Sequence, residues 1–200
     1  MGNALMNTMP APKHSDNERA QPLYARLRPL ARNLPNDELL ARMLASWRAG
    51  FGVLPTCMGL SPETYRYMLI RHFSGIELRE EAASRIDADP RRQPERADLQ
   101  SLLLDHRANA DISEAWMADI VVSACMGGNH LWRDLGLWSR RDLTDLIRIN
   151  FPALAARNDR DMKWKKFFYK QLCIQEGLYI CSAPSCQVCV DYQECFGPED

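Results

Sequence analysis

Apolar residues recur at intervals of three and four in nearly every organised segment of this chain, which places them along one face of an α-helix. No segment shows the alternation of apolar and polar residues that is typical of a half-buried strand. The pattern therefore predicts an all-α, bundle-like helical domain. The segment PNDELLARMLASWRAG is representative, with Leu39, Leu40, Met43, Leu44 and Trp47 on one face.

Helix-start signals support this prediction. Ser61 precedes Pro62, the arrangement of an N-cap followed by proline at the first helical position. The sequence SRRD from Ser139 to Asp142 has the form of a capping box. Ser113 is expected to cap the helix that follows it.

Composition divides the chain into three parts. Residues 1–22 are rich in proline, asparagine and small polar types, and we expect a flexible tail. Residues 23–177 contain the helical pattern and are ample for one core. Residues 178–200 form a cysteine-rich segment that we expect to be an irregular, metal-binding loop packed on or next to the last helix.

Charge and hydropathy exclude several classes of partner. The formal net charge is -1, so no global field draws the chain to nucleic acid or to anionic lipid. No apolar run approaches the roughly 18 residues needed to cross a bilayer. The first residues lack the pattern of a secretory signal. We therefore expect a cytoplasmic protein that binds neither nucleic acid nor membrane.

The last predicted helix, DMKWKKFFYKQLCIQEG, begins near Asp161 and ends by Gly177. Its two faces differ sharply. The aromatic and leucine side chains fall on one face and three lysines on the other, where they are either a solvated edge or a docking surface for an acidic partner or an oxyanion. The first set is Trp164, Phe167, Phe168 and Leu172, and the second is Lys163, Lys166 and Lys170.

Four of the seven cysteines lie in CSAPSCQVCVDYQEC, with the spacing C-x4-C-x2-C-x5-C. In a reducing compartment such a cluster indicates metal or redox chemistry rather than disulfides. Thiolates are soft donors that select zinc, copper(I) or iron–sulfur clusters. Only one Cys-x-x-Cys knuckle is present, which favours a loop around a cluster over a zinc clasp, but zinc and thiol redox chemistry stay open. The four residues are Cys181, Cys186, Cys189 and Cys195.

Four stretches together resemble one protein family: HLWRDLGL, RRDLTDLIRINFPALAARN, MKWKKFFYKQLC and the cysteine tail ending in CFG. The family is NifQ, which handles molybdenum in nitrogen fixation. The resemblance is close from about Trp116 to Gly197 and looser from Gly50 to Phe73.

The resemblance implies a molybdenum–iron–sulfur cluster carried for assembly of the nitrogenase iron–molybdenum cofactor. It assigns the cluster to Cys181, Cys186, Cys189 and Cys195. It implies the nitrogenase iron protein and the cofactor scaffold complex as partners and molybdate or another molybdenum source as supply. The chain shows no complete catalytic motif, so we expect a carrier and not an enzyme.

Two further residues are candidates for the site. Cys173 lies near the lysine side of its helix, where cations favour a thiolate, so it is either a fifth ligand or a half-buried structural cysteine. His130 follows a glycine pair at a predicted helix start, where backbone N–H groups suit an oxyanion such as molybdate. The alternative for His130 is packing or capping in a helix–helix turn.

Two other functions stay open at this stage, a zinc-stabilised helical binding module and an iron–sulfur redox protein without molybdenum. We expect the remaining histidines and thiols to be structural: His72 and His106 as hydrogen-bonded core residues, and Cys57 and Cys125 as buried packing residues.

Overall fold

The structure, a computed structural model, describes residues 14–76, 93–177 and 192–197. Regular structure in these ranges is helical apart from one isolated antiparallel bridge between Ala31 and Phe73, which confirms the all-α prediction for them. None of the described helices is long and apolar enough to cross a membrane. The helices are α1 (His14–Leu27), α2 (Asp37–Arg48), α3 (Pro62–His72), α4 (Gln93–Leu104), α5 (Ser113–Cys125), α6 (Leu131–Asp134), α7 (Arg140–Asn150), α8 (Pro152–Arg157), α9 (Trp164–Gln175) and α10 (Tyr192–Phe196), with 3-10 turns at Arg28–Leu30 and Thr56–Gly59.

Helix α5 is at the centre of the core. Every residue in it except Ala115 and Asp119 is buried, as expected for a helix that is apolar on all sides. Helices α3, α4 and α6 and the Thr56–Gly59 turn pack against it.

A buried hydrogen-bond network joins three helices inside this core. Asn36, Ser113 and Asn150 are each fully buried. Asn36 Nδ2 donates to Ser113 Oγ at 2.8 Å and to Asn150 Oδ1 at 2.7 Å. Asn150 Nδ2 donates back to Asn36 Oδ1 at 2.9 Å and to the carbonyl of Leu146 at 2.9 Å. The starts of α2 and α5 and the end of α7 therefore meet at one point.

The fully buried His72 ring confirms the prediction of a hydrogen-bonded core histidine. Its Nδ1 lies 2.6 Å from Asp37 Oδ1, and its ring packs edge-on against Trp116. Burial lowers the pKa of His72, and the hydrogen bond to Asp37 opposes that effect without reversing it. His72 is therefore neutral in the folded protein at neutral pH. His106 bonds to the carbonyl of Leu102, as expected.

Two of the three predicted caps are confirmed. Ser61 Oγ accepts from the backbone N–H of Thr64, and Ser139 Oγ accepts from that of Asp142. The Ser113 cap is wrong, because its hydroxyl is used in the buried network. At the start of α5, Asp111 Oδ1 accepts the backbone N–H of Ser113 at 2.8 Å instead. The carboxylate of Glu114 accepts three N–H groups of the loop before the helix, from Asn109, Ala110 and Asp111.

The predicted tail of residues 1–22 is wrong from residue 14 onward, where α1 begins. The stretch HSDNERAQP has no apolar stripe and contains Pro22, so its sequence gives no helical signal. Packing along α2 supplies what the local pattern lacks, since Ala20 is fully buried and Tyr24 OH donates to Glu38 at 2.5 Å. Residues 1–13 lie outside the described ranges.

The predicted irregular segment 178–200 is partly helical, since α10 occupies Tyr192–Phe196. Residues 178–191 and 198–200 lie outside the described ranges, so the metal-binding loop stays a prediction there. Gly177 follows α9 with a φ of 68°, which confirms the predicted helix stop. The predicted start of α9 near Asp161 is wrong by three residues because Asp161 has a φ of 55°, outside the helical region.

Replacing Asn36 by alanine should lower the free energy of unfolding by about 2 to 3 kcal/mol, because Ser113 and Asn150 then keep buried polar atoms without partners. Urea unfolding followed by circular dichroism measures this cost. The double variant Asn36→Ala/Asn150→Ala should cost less than the sum of the two single variants by more than about 1 kcal/mol. Additive costs would contradict the network.

Lowering the pH below 6.5, the ordinary pKa of histidine, should destabilise the protein through His72. Below this pH the unfolded chain binds a proton at His72 and the folded chain does not, so the free energy of unfolding falls as the pH falls. The advantage of the wild-type over His72→Gln in free energy of unfolding should shrink as the pH falls from 7 to 5. A constant advantage would show that His72 does not titrate on unfolding.

Candidate metal centre

The structure describes one of the four predicted metal ligands. Cys195 lies in α10, is half-buried and packs against the edge of the hydrophobic core. The other three, Cys181, Cys186 and Cys189, lie outside the described residues. Within the described residues, the position of Cys195 therefore defines the geometry of the site.

Lys163, the residue just before α9, binds α10 in two ways. Its backbone N–H donates to the carbonyl of Cys195 at 2.8 Å, and its Nζ donates to the carbonyl of Gln193 at 2.9 Å. The last carbonyls of a helix have no partner within it, so the backbone contact satisfies an acceptor that α10 leaves open. The Gln193 carbonyl also accepts the N–H of Gly197, and Lys163 Nζ uses its second lone pair. The two Lys163 contacts place Cys195 at the N-terminal end of α9.

The turn that carries Lys163 is itself held at several points. Asn158 receives the backbone N–H of Met162 and donates to its carbonyl, both at 2.9 Å. Arg140, from the first turn of α7, donates to both carboxylate oxygens of Asp161, at 2.5 and 2.8 Å. A forked guanidinium–carboxylate contact of this kind fixes orientation as well as distance. Cys195 thus rests on a braced turn.

Cys173 is not brought together with Cys195. The Lys163 contact fixes Cys195 at the start of α9, and Cys173 lies ten residues further along, about 15 Å away at the helical rise. Two thiolates on one zinc ion lie within about 4.6 Å of each other, twice a Zn–S bond. Cys173 and Cys195 therefore cannot share one zinc ion at this separation, and a role of Cys173 as a further ligand of a cluster stays a prediction.

The three predicted docking lysines differ in their surroundings. Lys166 and Lys170 are exposed on α9, as the lysine face requires. Lys163 is half-buried and used within the chain. The lysine that the sequence did not single out is Lys165, whose Nζ donates to Asp134 Oδ2 at 2.5 Å and to the carbonyl of Gly127 at 2.9 Å. Its partners are more than 30 residues away, so helical spacing gave no signal for it.

The glycine-rich turn before α6 is occupied by a carboxylate from the chain itself. Asp134 Oδ2 accepts the backbone N–H of Asn129 at 3.0 Å. A Cβ on Gly127 would come within 2.5 Å of the same oxygen, so the turn closes tightly around it. The backbone N–H of Asn129, in the turn where we expected N–H groups to suit an oxyanion, is therefore used within the chain. His130 is the half-buried N-cap of α6, without a side-chain capping bond.

The remaining described thiols differ from each other. Cys125 is buried, as predicted. Cys57 is half-buried in the Thr56–Gly59 turn with a left-handed φ of 55°. Burial raises the pKa of Cys57, although Arg66 and Arg48 lower it in part, so this thiol stays protonated at neutral pH.

Among residues 14–76, 93–177 and 192–197, no three His, Cys, Asp or Glu side chains come together as a metal site. A cavity of about 690 Å³ lies beside α1 and α2, and another of about 270 Å³ lies between α3, α4 and α5. Neither of these two is lined by a cysteine. The α10 region is therefore the part of the described structure that concerns the predicted centre.

Replacing Lys165 by methionine should lower the free energy of unfolding by about 2 to 4 kcal/mol, because Asp134 would keep a buried charge without its cation. Asp134 is 1% exposed, whereas the control Lys166→Met changes an exposed side chain and should cost less than about 0.5 kcal/mol. Adding Asp134→Asn to Lys165→Met should recover part of the loss. Equal costs for the two lysine variants in urea unfolding would contradict this.

Most of the chain is similar to known proteins. The NifQ family model matches residues 39–197. This match begins earlier than the resemblance in individual motifs, and it includes α2. No solved structure gives a significant match.

Curated relatives extend over similar shares of the chain. Protein NifQ of Azotobacter vinelandii is 45% identical over 174 residues, which cover 82% of this chain and 89% of that protein. Protein NifQ of Rhodobacter capsulatus is 37% identical, covering 80% and 87%. Protein NifQ of Klebsiella pneumoniae is 36% identical, covering 82% and 99%. The chain therefore belongs to the NifQ family.

Proposed function

We propose that this protein serves nitrogen fixation as a molybdenum carrier for assembly of the nitrogenase iron–molybdenum cofactor, and that it is not an enzyme. Its cargo is molybdenum held in an iron–sulfur cluster by Cys181, Cys186, Cys189 and Cys195. Membership of the NifQ family supports the role in nitrogen fixation. The observation that carries the proposal for the site is the braced position of Cys195, the last residue of the cysteine motif.

The donor set suits this cargo. Four thiolates are soft ligands, which bind iron–sulfur clusters and reduced molybdenum in preference to hard cations. A cluster ligated by thiolates has a negative charge, and the two cations beside α10, Lys163 and Arg160, offset it. Arg160 lies 5.3 Å from the centre of the Phe196 ring. The residues present therefore fit a thiolate-bound cluster.

A carrier must also deliver its cargo, and the exposed surface of α9 provides a place for a partner. Lys166 and Lys170 are one turn apart on the same exposed face. Two cations in this arrangement steer the approach of an acidic surface. The proposed partners are the nitrogenase iron protein and the cofactor scaffold complex, and molybdate or another molybdenum source supplies the metal. We place these events in the cytoplasm.

The test is metal analysis with electron paramagnetic resonance on protein purified without oxygen and supplied with iron, sulfide and molybdate. We expect brown protein containing iron, labile sulfide and molybdenum. Cys189→Ser and Cys195→Ser should each lower bound iron and molybdenum by at least about tenfold. Their helical circular-dichroism signal should survive, because Cys195 lies at the edge of the core and the described core is built from residues outside the motif.

The matched control is Cys57→Ser, which changes a half-buried thiol outside the motif and should keep wild-type iron and molybdenum. Cys173→Ser should do the same. Colourless protein containing zinc would overturn the proposal in favour of a zinc-stabilised module. Protein with iron and sulfide but no molybdenum would overturn it in favour of an iron–sulfur redox protein.

A further inference from the structure

Helix α10 is too short to hold its own shape. It has five residues, Tyr192–Phe196, and isolated helices shorter than about 12 residues are marginal in water. The position of Cys195 therefore depends on what α10 contacts and not on the helix itself. The described contacts come from the residues just before α9.

Two of these contacts involve Lys163. Its backbone N–H bonds to the carbonyl of Cys195 and its Nζ to the carbonyl of Gln193, two residues earlier. The same Gln193 carbonyl accepts the N–H of Gly197 at 2.9 Å. One residue thus binds α10 at two carbonyls, that of Cys195 and that of Gln193.

The residues around Lys163 are buried or hydrogen-bonded. On its two sides lie Met162, which is 7% exposed, and Trp164, which is 3% exposed and whose indole N–H lies 3.4 Å from Thr144 Oγ1. Asp161 is clamped by Arg140. A side chain in such surroundings loses little further freedom when it binds its partner.

We propose that Lys163 is a positioning residue for Cys195: it fixes α10 against the start of α9, so the place of this thiolate is set before the cargo binds. The role of Cys195 as a cargo ligand rests on the proposed function. The positioning of Cys195 by Lys163 is independent of it. Lys163 differs in this from Lys166 and Lys170, which face solvent. Its role is to hold a ligand and not to dock a partner.

The experiment measures the thiol itself in metal-free, reduced protein. The rate of alkylation of Cys195 by iodoacetamide is followed by mass spectrometry of its peptide, with Cys173 as the internal reference. In Lys163→Met we expect this rate to rise roughly five- to tenfold, the factor expected for one lost hydrogen bond. Lys163→Arg keeps a cationic donor and should restore most of the protection.

A second variant removes the backbone contact as well. Lys163 has a φ of -53°, which proline accepts, and proline has no N–H to donate to Cys195. Lys163→Pro should therefore raise the Cys195 rate beyond that of Lys163→Met. Lys166→Met is the matched control, one turn away and exposed, and should leave the Cys195 rate within twofold of wild-type, about 0.4 kcal/mol.

The same variants, loaded with iron, sulfide and molybdate, are then challenged with a chelator, and iron loss is followed by absorbance. Faster loss from Lys163→Met than from Lys166→Met, with recovery in Lys163→Arg, supports the inference. Equal Cys195 alkylation rates in Lys163→Met, Lys163→Pro and Lys166→Met would overturn it. A wild-type protein that binds no iron or molybdenum would overturn the proposed function instead, while the alkylation rates would still decide the role of Lys163.

Discussion

The buried hydrogen bonds among Asn36, Ser113 and Asn150 are the interaction on which the arrangement of the described helices depends. Apolar packing is not directional, so helices that meet only through leucine and methionine can slide or rotate at small cost. An amide that must satisfy its donors and acceptors away from water cannot. These three residues come from sequence positions as far as 114 apart, and together they fix where α2, α5 and α7 stand relative to one another.

The buried Asn36–Ser113–Asn150 network also affects the proposed metal centre, because α7 connects the two. Asn150 fixes the end of this helix in the core, and Arg140, ten residues earlier in its first turn, holds Asp161. Asp161 begins the short connection to Lys163, which binds α10. The position of Cys195 is therefore set by a chain of directional contacts that begins in the core. The Lys165–Asp134 ion pair holds α9 from another side, so this helix cannot move independently of the turn before α6.

Much of this fold could be predicted from the sequence because its signals are local. The apolar spacing of α2, α3 and α9 and the caps at Ser61 and Ser139 each depend on residues within one or two turns. The parts that were missed depend on distant residues. The first turns of α1 form because α2 lies beside them. The hydroxyl of Ser113 accepts from Asn36 and does not cap α5. The sequence grouped Lys163 with the candidate docking lysines and left Lys165 out. Only their partners, the carbonyl of Gln193 and Asp134, show that both lysines are used within the chain. The spacing of the cysteines predicted a shared site, but Cys195 is the one member whose surroundings could be compared with that prediction.

The strength of the Cys195 anchor suits a protein that is proposed to deliver what it binds. Each hydrogen bond from Lys163 contributes about 1 kcal/mol, because water competes for the same groups when α10 is free. Two such bonds, with the Arg160–Phe196 contact, are enough to favour the docked position of α10 by more than tenfold. These contacts are too weak to keep α10 docked throughout an encounter with a partner protein. The Asn150 contacts that hold α7 are buried and the Lys165–Asp134 pair that holds α9 is partly buried. The bond of Lys163 Nζ is exposed, so a partner can compete for it. In the proposed function, release at α10 would therefore leave the helical core intact, so that holding and delivering the cargo would use different parts of the same structure.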